Sequence, residues 1–301
     1  MRPRRFPRGD SPPYALPALF TAGTLFCGYY TLMKTVQAIS LPPEAAEAAA
    51  RLYDHAAIAV GLAVFTDGLD GRVARATGAV SDFGREIDSL ADCITFGAAP
   101  ATLAFAWGIR APEMQPNLWL APYLPGLGYL LSFLFLLCGA ARLARFNVQR
   151  NPRPKNPGRP GKRYFVGMPI PAAAGVLASI VHARGGQPIE NWWPAGVLWL
   201  GLIGLLAFLM VSTWRFSSFK NLSPTASPVL NLVFLGAMIY LIWNFSQPVL
   251  LAMAGLYMLS GLFNRCAWWF KRDKQSVLDA IERAELAEEA EQQGHQAQQG
   301  I

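Results

Sequence analysis

Residues 67–92 read DGLDGRVARATGAVSDFGREIDSLAD, a stretch that places four aspartates at fixed spacing inside a strongly apolar chain. The pattern is D-x2-D-G-x2-A-R-x8-G-x3-D-x3-D. It is carried by Asp67, Asp70, Gly71, Ala74, Arg75, Gly84, Asp88 and Asp92. Carboxylates in or near a bilayer are costly and need a partner. Four of them converging on one place therefore suggest a bound polyvalent cation.

The rest of the chain has the composition of a membrane protein. Of its 301 residues, 53% are hydrophobic and only 15% are charged, against about 25% charged residues in a soluble domain. Recurring long apolar runs predict an all-α polytopic membrane bundle with about eight transmembrane helices. We expect the spans at roughly residues 15–38, 48–77, 82–108, 118–146, 166–184, 192–213, 226–245 and 247–270.

Basic residues predict the orientation of this bundle. With the N-terminus in the cytosol, all but four of the 26 basic residues fall on the cytosolic side. Such a bias places both termini and the aspartate motif in the cytosol, and we expect the inner membrane of a prokaryote. The expected organisation is a basic cytosolic segment (1–13), a transmembrane domain (14–270) and a polar cytosolic tail (271–301).

Charge and cysteine usage exclude other classes of protein. The net charge of +7 does not indicate nucleic-acid binding, because the basic residues lie in loops between apolar runs. The four cysteines are scattered and form no C-x2-C pair, so neither a zinc site nor a disulfide framework is predicted. The three histidines, His55, His182 and His295, have no ligand-spaced partner, and we expect no catalytic role for them.

Helical geometry brings the motif residues together. Positions from Asp67 to Arg75 recur at i, i+3, i+4, i+7 and i+8, which is one face of a helix. Gly84, Asp88 and Asp92 recur every four residues on one face of the next helix. A short turn between the two predicts an antiparallel hairpin whose acidic faces meet at the cytosolic ends.

Carboxylate ligands favour a hard cation such as Mg²⁺, Mn²⁺ or Ca²⁺. Four carboxylates exceed what one Mg²⁺ usually takes from protein, so two ions that share substrate phosphates fit better. Gly71, Ala74 and Gly84 leave room for a flat ligand, and Arg75 can hydrogen-bond a phosphate. The competing interpretation is a solvated face or ion pairs, such as Asp70 with Arg75. Eight matching positions in the right structural context favour the metal site.

The pattern resembles the signature of the CDP-alcohol phosphotransferase family, integral membrane enzymes in which an alcohol displaces CMP from a CDP-linked donor. The resemblance implies that Asp67, Asp70 and Asp88 hold one divalent ion, and Asp67, Asp88 and Asp92 a second, either Mg²⁺ or Mn²⁺. It implies that Asp92 also takes the proton of the acceptor hydroxyl, and that the enzyme is a homodimer. The residues implied to line the CDP site are Gly71, Ala74, Arg75 and Gly84.

The flanking sequence resembles the phosphatidylserine synthase branch of this family. The similarity lies in GRVAR (71–75), SDFGREIDSLADCITFGAAPA (81–101), ARLARFNV (141–148) and YFVGMPIPAAAG (164–175). It departs at Ala18 and Thr24, where asparagines are expected. The reaction implied is transfer of the phosphatidyl group from CDP-diacylglycerol to the hydroxyl of L-serine, which gives phosphatidylserine and CMP.

The acceptor needs its own cation, because serine carries a carboxylate. Arg142 and Arg145 lie three residues apart at the cytosolic end of the fourth span, followed by Asn147, and could hold that carboxylate in a fork. Without the resemblance, they read as ordinary positive-inside anchors. Two other functions stay open: a sibling enzyme that uses glycerol phosphate or inositol phosphate, and a divalent-cation transporter, since intramembrane carboxylates also mark ion pathways.

Overall fold

The structure, a computed structural model, describes residues 15–77, 82–109, 123–148, 164–189, 192–217, 228–263 and 265. The helices are α1 (Ala15–Ser40), α2 (Ala46–Thr77), α3 (Asp82–Asp92), α4 (Ala99–Gly108), α5 (Leu124–Val148), α6 (Ile170–Ala183), α7 (Trp192–Val211), α8 (Pro228–Asn244) and α9 (Ser246–Phe263). A 3-10 turn (Pro43–Ala45) precedes α2, and a π-helical turn (Cys93–Ala98) joins α3 to α4.

Each predicted span overlaps one helix, except that the third comprises α3, the π-helical turn and α4. Parts of the predicted spans 118–146, 226–245 and 247–270 lie outside the described residues. Within the described residues, five segments are long and apolar enough to cross a membrane: Pro43–Leu69, Gly84–Gly108, Leu124–Val148, Pro194–Val211 and Ser246–Phe263. The chain is therefore an integral membrane protein of helices. α6 is apolar but only 14 residues long. The count of eight spans and the sides on which the termini lie stay predictions.

Proline and glycine set the helix ends that matter for packing. Pro42 and Pro43 separate α1 from α2, and proline also opens α6, where a missing N–H costs nothing. At the other end of α6, Gly185 and Gly186 have φ of 58° and 72°, which only glycine adopts without strain. A Cβ on Gly186 would also lie 1.9 Å from the carbonyl oxygen of Ala50, so this turn contacts the start of α2 directly.

The core lies between α2, α4, α6 and α7. The buried face of α2 consists of small side chains such as Ala56, Val60 and Ala63, which lets neighbouring helices approach closely. Larger side chains fill the space between the other helices. Trp107 packs edge-on against Trp199 with ring centroids 4.9 Å apart, and the Trp199 indole donates to the carbonyl oxygen of Ala104 over 3.0 Å. α9 lies at the periphery, with little of its surface buried.

The fold is helical, as predicted, and a short two-stranded ribbon accompanies the helices. β1 (Tyr164–Val166) pairs antiparallel with β2 (Arg215–Ser217), and Phe165 lies opposite Phe216. Gly167, with φ 77°, donates from its N–H to the carbonyl oxygen of Trp214 over 2.8 Å. Strands of three residues are too short to show an alternating pattern in sequence. Hydropathy therefore could not reveal the ribbon.

Candidate active site

Three of the four motif aspartates lie together. Asp67, on α2, and Asp88 and Asp92, one turn apart on α3, each place a carboxylate oxygen within 4.8 Å of the other two. All three side chains are partly buried. Like charges this close oppose one another's ionisation, and their hard oxygen atoms are the ligands that divalent cations such as Mg²⁺ and Mn²⁺ prefer. The donor set therefore fits a divalent metal ion.

The structure describes the other motif residues only in part. α2 continues as helix through Asp70, Gly71, Ala74 and Arg75, but their side chains lie outside the described part of the structure, as do residues 78–81. Gly84 is described: it is exposed and lies one turn before Asp88 on the same helix. The predicted roles of these residues in binding CDP stay predictions.

α1 connects the two helices that carry the acidic residues. The Thr24 hydroxyl lies 3.0 Å from that of Thr66, the neighbour of Asp67. The Thr95 hydroxyl, three residues after Asp92, donates to the carbonyl oxygen of Thr24 over 3.1 Å. Thr24 is buried. Thr24, one of the two positions where an asparagine was expected, thus connects α1 to α2 next to Asp67 and to the turn that follows Asp92.

The helix of Asp88 and Asp92 changes its winding directly after Asp92. Residues Cys93–Ala98 form a π-helical turn, a feature that is often found at functional sites. Gly28 of α1 packs against this turn so closely that a Cβ would lie 2.6 Å from the Thr95 hydroxyl oxygen. The π-helical turn and its close contact with α1 together determine the position of Asp92 at the end of α3.

α5 carries both predicted serine ligands, Arg142 and Arg145, at the end of the bundle where the aspartates lie. The surroundings of the two side chains differ. The guanidinium of Arg142 interacts electrostatically with Asp92, Arg145 and Tyr257. Its Nε atom is buried and makes no hydrogen bond to any residue that the structure describes. Arg145 instead donates from Nη1 to the carbonyl oxygen of Val211, the last residue of α7, over 3.3 Å. Of these two arginines, Arg142 is therefore the one with a buried donor that makes no hydrogen bond within the described part of the chain.

Two further contacts at this end of the bundle involve Asn147 and Tyr257. Asn147 donates from its amide to the hydroxyl of Ser89 over 2.8 Å, which ties α5 to α3 beside Asp88. Tyr257 of α9 lies near Arg142, and its ring centroid is 5.9 Å from that of Phe216. Sequence reasoning missed Tyr257, because it lies 115 positions from Arg142 and in an apolar span without a motif.

A second polar cluster lies far from the aspartates. The Nδ1 atom of His182 lies 2.6 Å from Oδ1 of Asp54, and Nε2 lies 2.9 Å from the hydroxyl oxygen of Ser246. Since an ionised carboxylate only accepts hydrogen bonds, Nδ1 is the donor to Asp54. The cluster joins α2, α6 and α9. His182 has a partner, Asp54, that its sequence spacing did not indicate.

Comparisons with known proteins agree with this geometry. The sequence model of the CDP-alcohol phosphatidyltransferase family matches residues 14–203. The chain belongs to this family. It is 32% identical over 268 residues to the CDP-diacylglycerol–serine O-phosphatidyltransferase of Helicobacter pylori, which covers 86% of this chain and 93% of the relative. It is 31% identical over 209 residues to the Bacillus subtilis protein of that name, which covers 68% and 92%.

A relative of the same name in Methanocaldococcus jannaschii is 36% identical over 160 residues, which is 53% of this chain and 62% of that protein. The family match includes the acidic hairpin and α5 but ends within α7. The family resemblance deduced from the motif is therefore confirmed. Members of this family depend on divalent metal, in agreement with the Asp67, Asp88 and Asp92 cluster.

Proposed function

We propose that this protein transfers the phosphatidyl group of CDP-diacylglycerol to the hydroxyl of L-serine, which gives phosphatidylserine and CMP. The observation that carries the proposal is the cluster of Asp67, Asp88 and Asp92, whose carboxylate oxygens lie within 4.8 Å of one another. Family membership and the shared name of relatives from bacteria and archaea support the choice of donor and acceptor.

Asp67, Asp70, Asp88 and Asp92 would hold two divalent ions, Mg²⁺ or Mn²⁺. When bound, such ions neutralise the pyrophosphate of the donor and stabilise the charge that develops on the leaving CMP. Gly71, Ala74, Arg75 and Gly84 would line the CDP site. The exposed, side-chain-free position of Gly84 one turn from Asp88 supports its part in this arrangement.

Asp92 would accept the proton of the serine hydroxyl. The hydroxyl oxygen then forms a bond to the phosphorus that carries diacylglycerol. The bond from that phosphorus to the oxygen of CMP breaks, and CMP leaves with the electron pair. Direct displacement needs no covalent enzyme intermediate.

Arg142 is the better supported of the two predicted serine ligands. It is partly buried, interacts with Asp92, and keeps a buried Nε donor available. A guanidinium offers a planar fork of donors that matches a carboxylate. Arg145 already donates to the end of α7, so its contribution to the acceptor site would be to position α5 and α7.

The membrane topology belongs to the same proposal. Eight spans, both termini in the cytosol and an active site at the cytosolic face of the inner membrane follow from the positive-inside bias. We further propose the domain limits 1–13, 14–270 and 271–301, and a homodimer by analogy with the family.

The deciding experiment measures CMP release by the purified protein with CDP-diacylglycerol and Mn²⁺ or Mg²⁺. Serine, glycerol phosphate and inositol phosphate are compared side by side, and Asp92→Asn is the control. We expect release with serine only, and none with the variant. Release with glycerol phosphate or inositol phosphate instead would show that this phosphorylated alcohol, and not serine, is the acceptor. Flux of divalent ions into proteoliposomes that contain no CDP-lipid would favour a transporter.

A further inference from the structure

We infer that Thr24, on α1, is a positioning residue for the metal site, because it holds the helix of Asp67 and the helix of Asp92 at one separation. The inference rests on the proposed function and deepens it, since it adds a buried residue of α1 to the three carboxylates that the motif supplies. Thr24 would act on these carboxylates through its hydrogen bonds with Thr66 and Thr95.

The hydroxyl of Thr24 is the donor in its contact with Thr66. A hydroxyl has one proton, and that of Thr66 is directed to its own helix, where the carbonyl oxygens of Ala63 and Leu62 lie at 3.0 and 3.2 Å. Thr66 therefore accepts, over 3.0 Å, the proton that Thr24 donates across the helix interface. This bond joins α1 to α2 at the residue directly before Asp67.

The backbone of Thr24 holds the second helix. Its carbonyl oxygen accepts a hydrogen bond over 3.1 Å from the hydroxyl of Thr95, which lies in the π-helical turn three residues after Asp92. One turn further along α1, a Cβ on Gly28 would lie 2.7 Å from the Cα of Thr95, so the two backbones are almost in contact. Among the described residues, α3 packs against α1, and no comparable packing of α3 against α2 is found. α1 therefore sets the distance between Asp67 and Asp92.

The repulsion among the carboxylates makes this connection important for metal binding. Three carboxylates within 4.8 Å of one another oppose their own approach when no cation is bound, and helices that are not held would move apart. A metal ion then has to draw the ligands together, which lowers its net binding free energy. Residues that hold metal ligands in place commonly contribute about 10- to 100-fold in metal affinity. Loss of the Thr24 hydroxyl should therefore weaken metal binding.

The test compares Thr24→Val with Thr31→Val. Both threonines are buried on α1, and each donates a hydrogen bond to α2, Thr24 to the Thr66 hydroxyl and Thr31 to the carbonyl oxygen of Ala56. Thr31 lies seven residues further along α1, or about 10 Å from Thr24. The Kd for Mn²⁺ is measured from the electron spin resonance signal of the free ion, with purified protein in detergent and without substrate.

We expect the Kd for Mn²⁺ to rise about tenfold in Thr24→Val and to stay within about twofold in Thr31→Val. The thermal midpoint without metal should fall by similar amounts in the two variants, since each loses one buried hydrogen bond between α1 and α2. Thr24→Ser keeps the hydroxyl and should restore the affinity for Mn²⁺. Thr66→Val breaks the same contact from α2 and should raise the Kd as Thr24→Val does, so it replaces Thr24→Val if that variant does not fold.

Two results would overturn the inference. One is an unchanged Kd for Mn²⁺ in Thr24→Val. The other is an equal rise of this Kd in Thr24→Val and Thr31→Val, which would show that any loss of packing between α1 and α2 weakens the site. Failure of the proposed function is recognised separately, because the unaltered protein would then bind Mn²⁺ without substrate and release no CMP with serine.

Discussion

Two aspartates of α2, Asp54 nearer its start and Asp67 nearer its end, have opposite surroundings. Asp54 and Asp67 are 13 residues apart, or about 20 Å along the helix. Asp54 accepts a hydrogen bond from His182, a group of the same chain that can carry positive charge. Asp67 meets Asp88 and Asp92, which carry charge of its own sign.

Under the proposed function, this difference separates a structural carboxylate from a metal-binding one. A carboxylate satisfied by a histidine joins helices and needs nothing from outside the chain. Three carboxylates within 4.8 Å of one another repel, and the arrangement becomes favourable when a cation is bound among them. The two aspartates share a helix and a residue type, so their different partners decide their roles.

Removal of divalent metal should have the largest effect on CMP release. It should act only at the end of α2 that carries Asp67. A chelator should abolish CMP release, and excess Mg²⁺ or Mn²⁺ should restore it. Because a ligand at 100 times its Kd stabilises the folded state by about 2.7 kcal/mol, added Mn²⁺ should raise the thermal midpoint. The rise should persist in Asp54→Asn and disappear in Asp88→Asn. Undiminished catalysis in the chelator would contradict the metal site.

The same substitution at both ends of α2 gives the next largest effect. Asp67→Asn should lower kcat at least about 10²-fold, since removal of one electrostatic group from such a site has effects of that size. Asp54→Asn should leave kcat per folded molecule within about threefold while it lowers the midpoint of unfolding. The measurements are CMP release and thermal unfolding in detergent. Equal losses of kcat in the two variants would remove the distinction between the ends.

Arg142 and Arg145 allow a similar comparison within the end of the bundle where the aspartates lie. Arg142→Ala should raise the KM for serine about tenfold or more, because charge-assisted hydrogen bonds contribute about 1.5–3 kcal/mol. Arg145→Ala should change this KM by less than about threefold, since Arg145 bonds the Val211 carbonyl at the end of α7. Steady-state kinetics with serine and with CDP-diacylglycerol distinguish the two. A larger serine defect in Arg145→Ala would reverse the assignment.

The acidic site could be predicted from the sequence because its residues lie close together along the chain. Asp88 and Asp92 are one helical turn apart, and a short hairpin returns the chain to Asp67, so spacing alone brings the carboxylates together. The pairing of Asp54 with His182 spans 128 positions, and the approach of Tyr257 to Arg142 spans 115. Contacts of that range depend on how apolar helices pack, which periodicity does not encode.

Ser246 should give the smallest effect, and it tests whether the histidine cluster serves structure alone. Its hydroxyl lies 2.9 Å from Nε2 of His182 and so links α9 to α6. Ser246→Ala should lower the free energy of unfolding by about 1 kcal/mol, the usual value for one hydrogen bond, and leave kcat unchanged. Ser260→Ala is the matched control, because the Ser260 hydroxyl donates within α9 to the carbonyl oxygen of Tyr257 and, among the described residues, joins no second helix. A smaller loss for Ser260→Ala is expected. If instead Ser246→Ala lowered kcat at unchanged stability, the end of α2 assigned to structure would share in the chemistry.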